Sequence, residues 1–251
     1  MNRQISEVGS AAFPADQQGE IYHRYVLGLY FCMEQLTTRF PDILFEGCAG
    51  GGGRFDAGLL HYMPQIWGSD DTDAIERLTI QYGYSYIYPW SSVSAHYSVV
   101  PNHQVGRVTP SFTRACAAMT GSFGYELNIC KLSEEEKADI LEINRVYRED
   151  RELLATGNFY RLISPEGHEK AAWMIASEDQ AQAIVYYFRI LAHANQPFTW
   201  LKLQGIDPEA VYYVKELDRN YTGTELKYIG IPVTNFYKDF QAECFHVSRV
   251  G

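Results

Sequence analysis

EGCAGGGGRFDAGLLHYMPQIWGSDDTDAIERL, residues 46–78, carries four consecutive glycines (50–53) and then three aspartates within four positions (70, 71 and 73). Each feature follows a short apolar run. Asp42-Ile43-Leu44-Phe45-Glu46 leads into the glycines and Pro64-Gln65-Ile66-Trp67 into the aspartates, and both runs read as strands. Asp71 to Tyr82 then spaces Ile75 and Leu78 for the inner face of a helix, with Gly83 as its C-terminal stop. Loops leaving strand ends toward helices are where parallel α/β folds build their sites.

Working outward, Tyr22, Tyr25, Val26, Leu29, Met33, Leu36 and Phe40 recur at three- and four-residue steps, which predicts an amphipathic helix over 18–40, stopped by Pro41. Downstream, Tyr86 to Ser98 contains a third strand, residues 111–119 a weak helix, and Phe123 to Ile129 a fourth strand. Ser133-Glu134-Glu135-Glu136 is a capping box, opening a helix expected to turn Ile140, Leu141, Val146 and Tyr147 inward. Four strand-plus-helix units in succession predict an α/β fold with a parallel sheet, half of a (β/α)8 TIM barrel.

After Gly157 the texture changes. Residues 160–162, 171–175, 183–191, 200–203, 211–214 and 242–247 read as strands separated by turn residues such as Pro165-Glu166-Gly167, the pattern of an antiparallel β-sandwich. Two domains are expected, residues 1–152 and 153–251.

A formal net charge of −10 disfavours nucleic acid and anionic membranes as partners, because both require a positive surface. No run of eighteen apolar residues predicts a membrane-spanning helix, and MNRQISEVGS has no apolar signal core. Cysteines 32, 48, 116, 130 and 244 are scattered without CxxC spacing. They read as free thiols in a reducing cytoplasm, not as a disulfide or zinc framework.

The glycine run lacks the Gly-Lys-Ser/Thr of a phosphate loop, so it reads either as a structural turn or as backbone that approaches a ligand closely. The aspartates are open to three readings: helix caps, calcium ligands or a general acid. The calcium reading lacks the turn glycine and terminal glutamate of an EF-hand. An acid beside Trp67 would suit a sugar, the indole shaping the slot and the carboxyl protonating a leaving oxygen. His96 and His103 read as supporting hydrogen-bonded residues, and Cys48 as a packing residue or weak ligand contact.

FEGCAGGGGRFDAG, PQIWGSDDTDAIERLTIQYG, YPWSSVSAH and VPNHQVGR together resemble the retaining α-galactosidases of glycoside hydrolase family 36, over nearly the whole chain. The resemblance implies a central (β/α)8 barrel between an N-terminal β-sandwich and a C-terminal β-domain. This chain would then supply the second barrel half and the C-terminal domain. It also implies hydrolysis of terminal α-galactosyl groups of melibiose- and raffinose-type sugars with no cofactor or metal, and homo-oligomers. By the same resemblance, Asp70 is the acid/base. Cys48, Ala49, Gly50, Gly51 and Trp67 line the galactose pocket, with Asn2 and Asp71 as further substrate contacts. Gly68 stands where the family carries a larger residue such as Thr, and is expected to alter pocket width.

The family nucleophile is the aspartate of Lys-Trp-Asp-Met-Asn-Arg, whereas this chain begins Met1-Asn2-Arg3. The chain is therefore expected to be a fragment, inactive by itself, that pairs with the missing N-terminal half. The alternative is a non-catalytic galactoside-binding or subunit-interaction module of the same descent.

Overall fold

The computed structural model describes residues 8–233 and 238–251. Helix α1 (Glu20–Arg39) ends at Phe40, before Pro41. Strand β1 (Glu46–Gly47) is followed by the single turn α2 (Ala49–Gly52) and helix α3 (Ala57–Tyr62). Strand β2 (Gln65–Trp67) leads to α4 (Ala74–Tyr84), β3 (Val93–Ser98) to α5 (Ser111–Met119), and β4 (Ser122–Glu126) to α6 (Glu134–Thr156). All four strands are parallel, in the order β1-β2-β3-β4. The parallel α/β array expected from the sequence is present.

Several local expectations are corrected. The strand expected at 42–46 is confined to Glu46–Gly47, and Leu44 is 73% exposed. Helix α4 starts at Ala74, not Asp71, because the Asp73 carboxylate accepts the N–H groups of Ile75 and Glu76 and closes the helix there. Gly83 does not stop it. The helix runs through Tyr84, and the Ser85 N–H closes it on the Gln81 carbonyl while the Tyr86 N–H bonds the Gly83 carbonyl. The predicted capping box of Ser133 and Glu136 does open α6. Ile140, Val146 and Tyr147 pack against the core as expected, beside the buried Ile143, Asp150 and Leu154, but Leu141 lies 71% exposed. Leu141 and Ile143 are two positions apart, a turn of about 200° along the helix, which puts Leu141 on the face opposite the one that Ile143 occupies.

Helix α1 is amphipathic in sequence, yet none of its residues is buried in the described structure. Within the described residues β1 and β4 each pair on one side only, so the sheet is an open half, not a closed barrel.

Residues 152 and 153 lie inside α6, and the antiparallel region begins at β5 (Asn158–Ile163). It continues with β6 (Lys170–Ala176), β7 (Gln182–Arg189), β8 (Thr199–Leu201), β9 (Val211–Val214), β10 (Arg219–Thr222), α7 (Gly223–Tyr228), β11 (Ile231–Val233) and β12 (Gln241–Arg249). Six strands form one sheet in the order β10-β9-β12-β7-β6-β5, and β8 pairs with β11 separately. Side chains alternate as the two-residue strand period requires. Trp173, Ile175, Ile184, Tyr186 and Phe188 join Leu78, Tyr82, Cys116 and Ile143 from the helices of the parallel layer. Met174, Val185 and Tyr187 face the other way, against Leu201, Leu203, Leu226 and Val233. One sheet thus has two apolar faces, and the first is covered by α4, α5 and α6.

Candidate active site

The glycine run folds as a left-handed turn. Ala49, Gly50, Gly51 and Gly52 have φ of 57°, 70°, 78° and 86°, and the Gly52 N–H bonds the Cys48 carbonyl at 2.9 Å. Left-handed helical backbone costs an L-residue about 1–2 kcal/mol per position, which glycine avoids. The turn also lies directly on the neighbouring loop. A Cβ at Gly51 would sit 2.5 Å from the Asp70 backbone nitrogen, and one at Gly52 would sit 2.6 Å from the Gly68 carbonyl oxygen. What comes so close to the bare backbone is the aspartate loop itself, so the expected close approach is made first to protein.

Asp70 is exposed at the C-terminal end of β2. The indole N–H of Trp67, the last residue of that strand, donates to its Oδ1 at 3.0 Å. Trp67 in turn stacks on His96 of β3, with ring centroids 4.3 Å apart and planes 22° apart. The Arg77 guanidinium lies 4.5 Å from the Trp67 ring. Arg77 is buried and donates to Gln81 Oε1 (3.0 Å), the Ser69 carbonyl (3.1 Å) and the Ser94 carbonyl (2.5 Å). Burial lowers its pKa to about 10, against the pull of Asp71, so it stays charged at neutral pH. Burial also lowers the pKa of His96, with Glu126 and Glu46 opposing, which leaves a neutral imidazole behind the tryptophan.

The loop after β3 grips the aspartate loop from the side. Gln104 Nε2 donates to the Asp70 carbonyl at 3.2 Å, and its Oε1 accepts the Thr72 N–H at 3.1 Å. Asn102 Nδ2 donates to Thr72 Oγ1 at 3.0 Å. Arg107 forms an ion pair with Asp73, which is only 1% exposed.

The candidate residues therefore meet at the ends of β1 and β2: Cys48, Ala49, Gly50 and Gly51 after the first, and Trp67, Asp70 and Asp71 at the second. Asp71 is turned to local structure, its Oδ1 accepting the Asp73 N–H at 2.9 Å. His103 is exposed on the loop. Asn2 lies outside the described residues. A Cβ at Gly68, where the family carries a larger residue, would sit 2.9 Å from the Tyr84 ring. Among the described residues no cluster of three His, Cys, Asp or Glu side chains is arranged to hold a metal. Nor is any helix long and apolar enough to cross a membrane.

Sequence reasoning gave no role to Arg77, Asn102, Gln104 or Arg107. Within VPNHQVGR only His103 drew a reading of its own, and the rest stood out as part of a resemblance, since a polar residue that serves a loop some thirty positions away carries no periodic mark.

The melibiase family profile matches residues 1–157, and the glycosyl hydrolase family 36 C-terminal domain matches residues 170–247. The chain belongs to glycoside hydrolase family 36. Alpha-galactosidase AgaA of Geobacillus stearothermophilus is 52% identical over 250 residues, covering 100% of this chain and 34% of the relative. Alpha-galactosidase Mel36A of Lactobacillus acidophilus is 46% identical, with 100% of this chain and 34% of the relative covered. A crystal structure of a variant AgaA in complex with raffinose superposes with a TM-score of 0.95 at 50% identity, covering 100% of this chain and 35% of that one. The galactosidase domain of the alpha-galactosidase–sucrose kinase AgaSK, whose sequence is from Mediterraneibacter gnavus, gives 0.90 at 49% identity, covering 92% and 32%. The chain thus spans about a third of the length of the curated family 36 relatives AgaA and Mel36A.

Proposed function

We propose that this chain is the part of an α-galactosidase that supplies the general acid/base, Asp70. The observation that carries the reading is the Asp70 carboxyl at a parallel strand's C-terminal end, held by the Trp67 indole N–H at 3.0 Å. In a retaining mechanism one carboxylate attacks the anomeric carbon while a second protonates the departing glycosidic oxygen, and the second then takes the proton of the water that releases the sugar. Asp70 would perform both proton transfers. Cys48 to Gly51, Trp67, Asp71 and Asn2 would line the galactosyl pocket, and no cofactor enters the chemistry.

This reading assigns the nucleophile to none of these 251 residues, so the chain assayed by itself is proposed to be inactive. We place its working units at residues 1–152 and 153–251, joined across the cluster that packs α4–α6 on the six-stranded sheet. Five free thiols fit a cytoplasmic setting. The apolar surface of α1, with Leu27 52% and Phe31 65% exposed, fits a covering partner. Such a partner would be the remainder of the barrel or a second copy.

The test joins this chain to the rest of AgaA in place of the matching third. Raffinose hydrolysis by that enzyme, lost by at least about a hundredfold on Asp70→Asn, is expected. Turnover by the 251-residue chain alone would overturn the division of roles. Galactose binding without turnover in the joined enzyme would favour the binding-module reading.

A further inference from the structure

We propose that the C-terminal sheet domain positions the acid/base loop through Phe240 and Arg107, so that Phe240 is a positioning residue for Asp70. The inference rests on the reading of Asp70 given above.

Phe240 sits just before β12 with φ of 57°, a left-handed conformation that a non-glycine residue keeps only when its surroundings hold it. They do so twice. Its N–H bonds the Ile190 carbonyl at 3.3 Å, and its carbonyl accepts the Thr113 hydroxyl of α5 at 2.8 Å. So anchored, its ring lies 5.1 Å from the Arg107 guanidinium carbon, within the range of a cation–π contact.

Arg107 carries the contact inward. Its guanidinium pairs with Asp73 and approaches Glu76 Oε1 at 3.7 Å. Asp73 caps α4 three residues after Asp70, so a shift of the guanidinium moves the end of the acid loop. The Arg107 backbone acts on the same loop. Its carbonyl accepts the Asn102 N–H at 2.9 Å, Asn102 holds Thr72, and the intervening Gln104 holds both the Asp70 carbonyl and the Thr72 N–H. The loop from Asn102 to Arg107 thus grips residues 70, 72 and 73, and its far side rests on one aromatic ring of the other domain. A proton donor must meet a particular oxygen within hydrogen-bond reach, and misplacement by about 1 Å can cost about a hundredfold in rate.

The test uses the joined enzyme and two substrates: raffinose, whose departing alkoxide needs protonation, and 2,4-dinitrophenyl α-galactoside, whose phenolate leaves without it. The readout is kcat/KM, which reports the bond-breaking step. Phe240→Leu and Arg107→Gln are expected to lower it about tenfold on raffinose and less than twofold on the aryl galactoside, with Phe240→Tyr restoring the first. Asp70→Asn is expected to show the same split, larger. Equal losses on both substrates, or none, while Asp70→Asn keeps its split, would overturn the positioning role. Absence of a split in Asp70→Asn overturns the acid/base reading itself. Should Phe240→Leu fail to fold, as judged by its melting curve, Arg107→Gln carries the comparison.

Discussion

Gly51 lies so close to Asp70 that a methyl group on its Cα would sit 2.5 Å from the Asp70 backbone nitrogen. Its φ of 78° adds a second penalty for any side chain. Gly51→Ala is expected to cost about 2–3 kcal/mol. Gly28, inside α1, has nothing within 4 Å of the same added atom, and Gly28→Ala should gain about 0.5–1 kcal/mol. Thermal unfolding of both variants checks the pair. Equal melting temperatures would show that the close approach is not real.

Arg77 donates to three separate acceptors, Gln81, Ser69 and Ser94, while lying against Trp67. A lysine nitrogen cannot reach all three from one point. Arg77→Lys should therefore cost about 2–3 kcal/mol through acceptors left unpaired in a buried setting. Urea unfolding midpoints for the two proteins measure it.

His246 ties the six-stranded sheet to α6. Its Nε2 meets Asp150 at 3.0 Å and its Nδ1 meets Glu216 at 2.6 Å, so both nitrogens must carry protons. Hydrogen bonds to Asp150 and then Glu216 raise its pKa to about 9, against burial. The folded value exceeds the unfolded value of about 6.5. The contribution, about 2–3 kcal/mol, is then complete below pH 6.5 and fades as pH rises through 9. For Glu216, burial pulls upward but its bonds with His246 outweigh it and leave the pKa lowered, so that part is lost in acid. Melting curves of His246→Gln should lie well below the parent at pH 6.5 and converge with it above pH 9.

Glu243 carries the opposite sign of risk. Burial raises its pKa to about 7, although Arg189 pulls it down. A carboxyl that holds its proton more tightly when folded destabilises the protein as pH rises from its unfolded pKa through 7. Glu243→Gln should melt with the parent near pH 4.5 and above it at pH 8.5. Identical curves at pH 8.5 would refute the assignment.

Much of the fold was legible in the sequence because its signals are short-range. The step of three and four from Tyr22 to Leu36, the Ser133–Glu136 box and the alternation around Trp173 each needed only neighbours a few positions away. The failures occurred where several local options competed. Of the aspartates at 70, 71 and 73, any could have capped the helix, and burial chose Asp73. Leu141 and Ile143 are equally apolar in the sequence, but only the packing of α6 on the sheet decided which turned inward.

By itself the sequence determined the order of strands and helices, the family, and the juxtaposition along the chain of glycines, tryptophan and acid. Periodicity and motif spacing are properties of contiguous residues. Only the tertiary structure decided what those features touch: that the glycine turn lies against the Asp70 loop, that Gln104 reaches back 34 positions to hold it, and that Phe240 stands behind Arg107. Such contacts join segments brought together by burial of apolar surface, and a single polar side chain placed at the junction leaves no trace in its own neighbourhood of the sequence.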